Sequence, residues 1–215
     1  KKCLGGQPEL GFVGTLHSFA LRMLKEYGAP LGYGGRVALI TPEAAQDLLM
    51  SKAKSLGCKA TTEQLLRLKG EGRPKPETSP GGAARFDLPR VVVASYFDDM
   101  RASGLVDYDA LLDEFLDMLL GNSEGAVDAQ CKLTLRFTYL FVDEVQDSAP
   151  TDWAIYRALP ARWKLFVGDA DQAIYGFRGG RVAEMLAFAR TPGTLVVKLE
   201  ENFRSRAAVC HAANE

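Results

Sequence analysis

The sequence is poor in the residues that hold metals or staple small folds. It has 2 histidines, His17 and His211, and they lie far apart. Its 4 cysteines, Cys3, Cys58, Cys131 and Cys210, are scattered with no C-x-x-C pair. Such spacing suggests neither a zinc site nor a disulfide framework, and it suits a reducing compartment. No apolar run is long enough to span a bilayer and no signal-peptide pattern occurs, so no membrane partner is expected. An excess of charge of one sign is missing too, because the formal net charge is -1. A nucleic-acid site would therefore be a local groove rather than a wholly basic surface. Internal repeats are absent. So is any G-x-x-x-x-G-K-[ST] phosphate loop.

What is present is a chain of 215 residues, enough for one large domain or two small ones. A hydrophobic fraction of 47% is ordinary for a globular protein and supports a sizeable core. Gly11 to Gly14 reads as a short strand. Thr15 then caps a helix over Leu16 to Tyr27, with Phe19, Met23 and Leu24 at helical spacing. Thr41-Pro42-Glu43 starts a helix that runs to about Leu56, and Thr62 caps a shorter one through Leu68. Residues 69 to 90 read as a loop, with Pro74, Pro76, Pro80, Gly81 and Gly82. Between Arg67 and Arg90 the basic residues number 6 and the acidic 3. A solvated loop explains that balance, and contact with a phosphate backbone is the sharper reading. Helices are expected over Pro89 to Ser103 and, capped by Asp107, over Tyr108 to Leu120.

After a polar stretch a different rhythm begins. Strands fit Tyr139–Val142, Leu165–Val167 and Leu195–Leu199, the first two having the form of buried strands. Helices fit Asp152–Ala158, Val182–Phe188 and Ala207–Ala213. Alternating strands and helices imply a parallel sheet and an α/β fold. The helical stretch before them breaks the rhythm and reads as an insertion.

Three blocks carry chemistry. In LFVDEVQD, Asp143 and Glu144 stand where a strand emerges at the carboxyl edge of the sheet, the place where such folds bind nucleotides. Mg²⁺ bound with a nucleotide takes one or two protein carboxylates and keeps its waters, a role that suits Asp143. Glu144 would orient or deprotonate an attacking water. The plainer alternative is that these acids cap the following helix. In KLFVGDADQAIYGFRGG, Gln172 offers an amide that both donates and accepts. Tyr175, Phe177 and Arg178 suit stacking on unpaired bases and a backbone contact, although an isolated Y-x-F is more often core. In LEENFRS, Arg204 stands just before a helix, where an arginine is usually a surface residue.

In this order the three blocks closely resemble motifs II, III and IV of superfamily 1 helicases of the UvrD/Rep type. Thr15 to Phe19, T-L-H-S-F, resembles the family's T-x-H-x-F element along single-stranded DNA. There Thr15 donates to a phosphate and His17 bonds a phosphate or a base. Asp107 to Leu112 resembles the D-[FY]-D-D-L-[LI] element, with Ala110 in place of an acid and a role read as mainly architectural. Val145, Phe177, Gly180 and Phe203 stand where the family more often has an aromatic residue, Trp, Ala and Tyr. The likeness covers roughly 10–27 and 104–215; the region between matches in position and helical character only.

The resemblance implies a RecA-like, P-loop NTPase-type parallel sheet with a small all-helical subdomain inserted. Residues 1–28 and 104–215 would belong to the first RecA-like domain and 29–103 to the insertion. ATP and Mg²⁺ would be the cofactors. Catalysis would fall to Glu144, Asp143, Gln172 and Arg204, with Gln172 and Arg204 near the γ-phosphate and Asp143 on the metal. Thr15, His17, Tyr175, Phe177 and Arg178 would contact DNA. The partner would be single-stranded DNA or a single-strand/duplex junction, with 3′→5′ movement, in a bacterial or phage-like cytoplasm. The phosphate loop is expected ahead of Lys1, which is not a Met, and the second RecA-like domain beyond Glu215. The chain by itself is then expected neither to hydrolyse ATP usefully nor to unwind DNA. A competing reading is a non-catalytic module, derived from a helicase, that binds single-stranded DNA or a protein. A metal-dependent nuclease using the D-E-V-Q-D acids fits worse, because Q-A-I-Y-G-F-R has no place in it.

Overall fold

The structure is a computed structural model that describes residues 11–33, 36–74, 87–121, 124–173 and 181–213. Helix α1 (Leu16–Tyr27) begins as the sequence predicts, with the Thr15 hydroxyl accepting the Ser18 N–H at 3.2 Å. It buries Ala20, Met23 and Leu24, positions that share one face at helical spacing. The strand expected at Gly11 to Gly14 does not form. Phe12 instead lays its ring 5.1 Å from that of Phe19. A two-residue strand, β1 (Ala38–Leu39), which sequence periodicity does not reveal, precedes α2 (Pro42–Ser55).

The next two helices start on side-chain caps. Helix α3 (Thr62–Gly70) has a capping box in which Thr61 and Gln64 satisfy each other's backbone N–H groups, at 3.2 and 3.0 Å. The cap is thus Thr61 rather than the expected Thr62, because the box needs a glutamine three residues on. Helix α4 (Leu88–Ala102) is capped by Asp87, which accepts the Arg90 N–H at 3.1 Å. Both helices cut into the loop expected over 69–90: Lys69 and Gly70 end α3, and Leu88 to Arg90 open α4. The centre of that loop, 75–86, lies outside the described residues.

Strand β2 (Leu105–Val106) pairs in parallel with β1, Ala38 opposite Leu105 and Leu39 opposite Val106. This ties the two ends of the helical stretch together. Gly104, at φ 66°, makes the turn into β2; a Cβ there would stand 2.3 Å from the Arg36 carbonyl oxygen. Helix α5 (Leu111–Leu120) starts later than the expected Tyr108, because Asp107 turns inward. Its Oδ1 accepts the Ala110 N–H at 2.8 Å, and its Oδ2 meets Lys69 and Tyr96. The stretch read only as polar holds helix α6 (Glu124–Arg136).

Two parallel strands follow, β3 (Tyr139–Val142) and β4 (Trp163–Phe166), with α7 (Pro150–Ala158) between them. The chain continues through α8 (Arg181–Ala189) and α9 (Ala207–Ala213). The strand expected at Leu195–Leu199 is irregular chain with Leu195 and Leu199 exposed. A β-branched apolar run needs a neighbour to complete its ladder, and none pairs with it among the described residues. The fold is α/β, of the RecA-like class. Its larger core runs through α1 to α6 and takes in Ile155 of α7 and Leu159 just beyond it, while Val145, Trp153 and Tyr156 form a second cluster under the sheet with Leu140, Val142, Phe166, Met185 and Phe188. The outer face of the sheet departs from the buried strands expected: Tyr139, Phe141, Trp163 and Leu165 are all more than half exposed.

Candidate functional site

Strand β3 delivers Asp143 and Glu144 to the carboxyl edge of the sheet, both exposed. The Glu144 N–H donates to Asp143 Oδ1 at 3.0 Å. Glu144 takes φ 51° and ψ 40°, the sole non-glycine at positive φ among the described residues. A side chain there is strained, and strain of this kind persists where the surroundings over-determine it. The surroundings are visible. Directly after Glu144 a 3-10 turn, Val145–Asp147, folds Val145 and Gln146 into the interior. The Val145 N–H then donates to the Val167 carbonyl at 3.0 Å, which pins the turn to the end of β4.

Gln146 is the residue that sequence reasoning missed. It is 2% exposed and joins two of the motif blocks. Its Nε2 donates to Glu144 Oε2 at 2.7 Å, and its Oε1 accepts the Asp169 N–H at 3.1 Å. Asp169 in turn accepts the Asp171 N–H on Oδ1 at 3.0 Å and the Gln172 side-chain amide on Oδ2 at 2.7 Å. A continuous chain of hydrogen bonds therefore runs Glu144, Gln146, Asp169, Gln172. Gly168 makes room for it, since a Cβ there would lie 2.7 Å from Gln146 Oε1 and 2.8 Å from Val145 Cγ1. The only signal in the sequence was the glutamine inside D-E-V-Q-D.

The donor set at this edge is the pair of exposed carboxylates, Asp143 and Glu144. Among the described residues no group of three or more His, Cys, Asp or Glu forms a metal cage. Exposed carboxylates at a strand end fit instead a hydrated ion that arrives with a nucleotide and takes one or two protein oxygens.

Thr15 spends its hydroxyl on the α1 cap, accepting from Ser18 N and donating to Ser18 Oγ at 3.1 Å, yet stays exposed. His17 stacks on Tyr108, ring centroids 4.2 Å apart and planes 6° from parallel. Burial holds the His17 pKa below its ordinary value of 6.5, opposed by the charge of Asp152. A neutral imidazole follows at pH 7, able to donate and accept but not to act as a cation. Tyr108, read as architectural, is thus the surface on which His17 rests. Arg204 lies exposed before α9, where its N–H donates to Asn202 Oδ1 at 2.9 Å. Among the described residues no hydrogen bond or ion pair brings it to the acids at the end of β3. Tyr175, Phe177 and Arg178 lie outside the described residues.

The family model for the UvrD/REP helicase N-terminal domain matches residues 7–192. The chain is 28% identical over 214 residues to the ATP-dependent DNA helicase PcrA of Leuconostoc citreum, covering 94% of this chain and 28% of that protein. To the ATP-dependent DNA helicase PcrA of Staphylococcus aureus it is 26% identical over 226 residues, covering 100% of this chain and 30% of the other. A probable DNA helicase II homolog of Rickettsia conorii is 29% identical over 216 residues, covering 94% and 32%. The chain spans about a third of these curated relatives, or less.

Proposed function

The chain belongs to the UvrD/REP helicase family, and from that premise we propose that the protein carrying it is an ATP-dependent DNA helicase that moves 3′→5′ on single-stranded DNA. The observation that carries this reading is the hydrogen-bond chain from Glu144 through Gln146 and Asp169 to Gln172. It links the acid of one motif to the amide of the next at the edge where nucleotides bind. Asp143 would hold Mg²⁺, which supplies charge neutralisation on the phosphates when bound. Glu144 positions the attacking water and takes its proton. Gln172 meets the γ-phosphate or that water, and Arg204 offsets charge developing on the phosphoryl group.

Thr15 and His17 face single-stranded DNA in this reading, together with Tyr175, Phe177 and Arg178. The neutral His17 suits a hydrogen bond to a base or phosphate better than an ion pair. Residues 29–103 form the inserted helical subdomain, and the parallel pair of β1 and β2 supports that division by closing the stretch at its base. The protein works in the reducing cytoplasm. The 215 residues alone lack a phosphate loop, so they hydrolyse ATP poorly at best.

The test is Mg²⁺-dependent ATP hydrolysis by the whole native protein, with and without a single-stranded oligonucleotide. Stimulation by DNA is expected, and Glu144→Gln is expected to lower kcat by at least about 100-fold, as removal of a key catalytic group does. Absence of hydrolysis in the wild type would favour a module that binds single-stranded DNA or a protein without turnover. Robust turnover by the 215 residues alone would overturn their assignment as inactive.

A further inference from the structure

We infer that Gln146 is a positioning residue for ATP hydrolysis, holding the Glu144 carboxylate and coupling it to Gln172 through Asp169. The inference rests on the reading of Glu144 as the residue that acts on the attacking water. Glutamine is the side chain that the geometry requires. One end must donate to a carboxylate, Glu144 Oε2 at 2.7 Å, and the other must accept a backbone N–H, that of Asp169 at 3.1 Å. An amide does both. A glutamate in its place keeps the acceptor but sets a second carboxylate against Glu144. A methionine keeps the volume and loses both bonds.

Several features fix the amide. Gln146 is 2% exposed, so water does not compete for its hydrogen bonds. Val145 beside it is bonded to Val167 at the end of β4. The absence of a side chain at Gly168 leaves the gap that its Oε1 fills. Glu144, by contrast, is exposed and sits on a strained backbone. Without Gln146 its carboxylate would sample many rotamers, and the one that meets water would be a minority. The bond to Asp169 extends the effect, because Asp169 Oδ2 also holds the Gln172 amide at 2.7 Å. A movement of Gln172 toward a phosphate therefore pulls on the same chain that orients the acid.

The test uses ATP hydrolysis by the whole native protein in saturating single-stranded DNA. Gln146→Met and Gln146→Glu are each expected to lower kcat by about 10- to 100-fold, the usual loss when an orienting partner of a catalytic group is removed. KM for ATP should stay within about twofold, because the amide is buried and both its ends are bonded within the protein, to Glu144 and to Asp169. A double-mutant cycle with Gln172→Ala supplies the readout that a merely structural role would not move. The double variant should lose little more than the worse single one, whereas losses that multiply would overturn the coupling.

Glu144→Gln separates the two levels of the inference. If it abolishes hydrolysis while Gln146→Met keeps full kcat, the positioning role is wrong and the assignment of Glu144 stands. If Glu144→Gln leaves hydrolysis intact, both fall. Should the Gln146 variants fail to fold by circular dichroism, the wild-type side-chain amide carries the test. Its hydrogens, followed by ¹⁵N-glutamine labelling, should exchange slowly and exchange faster in Glu144→Ala. Equal exchange in the two proteins would overturn the contact.

Discussion

At the scale of single residues, the site depends on one place where a side chain is missing. A Cβ on Gly168 would meet Gln146 Oε1 at 2.7 Å, Val145 Cγ1 at 2.8 Å and Met185 Sδ at 3.2 Å. Two of those neighbours are held by hydrogen bonds or by the turn, so neither yields cheaply. Gly168→Ala is expected to destabilise the fold by about 1–3 kcal/mol, as overpacking does. It should lower hydrolysis as well, because the Gln146 amide is pushed from Asp169. A thermal melt and a kcat measurement on the variant check both, and an unchanged melting temperature would mean that the gap is not tight. The glycine was legible in V-G-D-A-D-Q only as the end of a strand. Gln146 was legible only as the glutamine of D-E-V-Q-D, with no sign of its burial or its bonds. Nothing in D-E-V-Q-D says which polar residue is buried, since that depends on Glu144 entering the left-handed region, a choice no pattern of residue types announces.

At the scale of elements, Lys69 belongs to the packing of helices and not to a solvated loop. It stands among the basic residues between Arg67 and Arg90, where phosphate contact was one reading. The structure buries it to 6% exposure and sets its Nζ 3.0 Å from both Asp107 Oδ2 and Asp109 Oδ2. Burial disfavours its charge, yet the two carboxylates outweigh burial and hold its pKa above the ordinary value. The ammonium therefore ties α3 to the turn that leads into α5. Lys69→Met should cost on the order of 3 kcal/mol, because Asp107 is left buried without its cation. Chemical denaturation of the variant gives the number, and a loss below about 1 kcal/mol, the worth of a surface pair, would contradict the burial. Elsewhere the elements were readable where local chemistry sets them: Thr15, Thr41 with Pro42, and the apolar face of α5. Helix α6 escaped because two of its buried residues, Ala126 and Ala129, are alanines, which mark a face weakly. Strands β1 and β2 escaped because two residues carry no period.

At the scale of the whole molecule, the sheet is covered on one side only among the described residues. Leu140, Val142 and Phe166 face the cluster built on Trp153. Opposite them Tyr139, Phe141, Trp163 and Leu165 are 61%, 70%, 57% and 53% exposed. Their pairing puts Tyr139 beside Trp163 and Phe141 beside Leu165, so the four form one contiguous apolar face. Parallel sheets are stable when both faces are buried, and an exposed apolar patch of this kind invites association. The 215 residues on their own are therefore expected to bind a hydrophobic dye and to self-associate with rising concentration in sedimentation. Phe141→Lys with Leu165→Glu should suppress both with little change in melting temperature, because both side chains are more than half exposed. In a longer protein in which a further element covers this face, the same pair should be strongly destabilising, because parallel sheets are stable with both faces buried. That opposite sign is the discriminating result. If the pair is harmless in the long protein as well, the face is open by nature, and the reading of these residues as one part of a larger α/β domain loses its physical support.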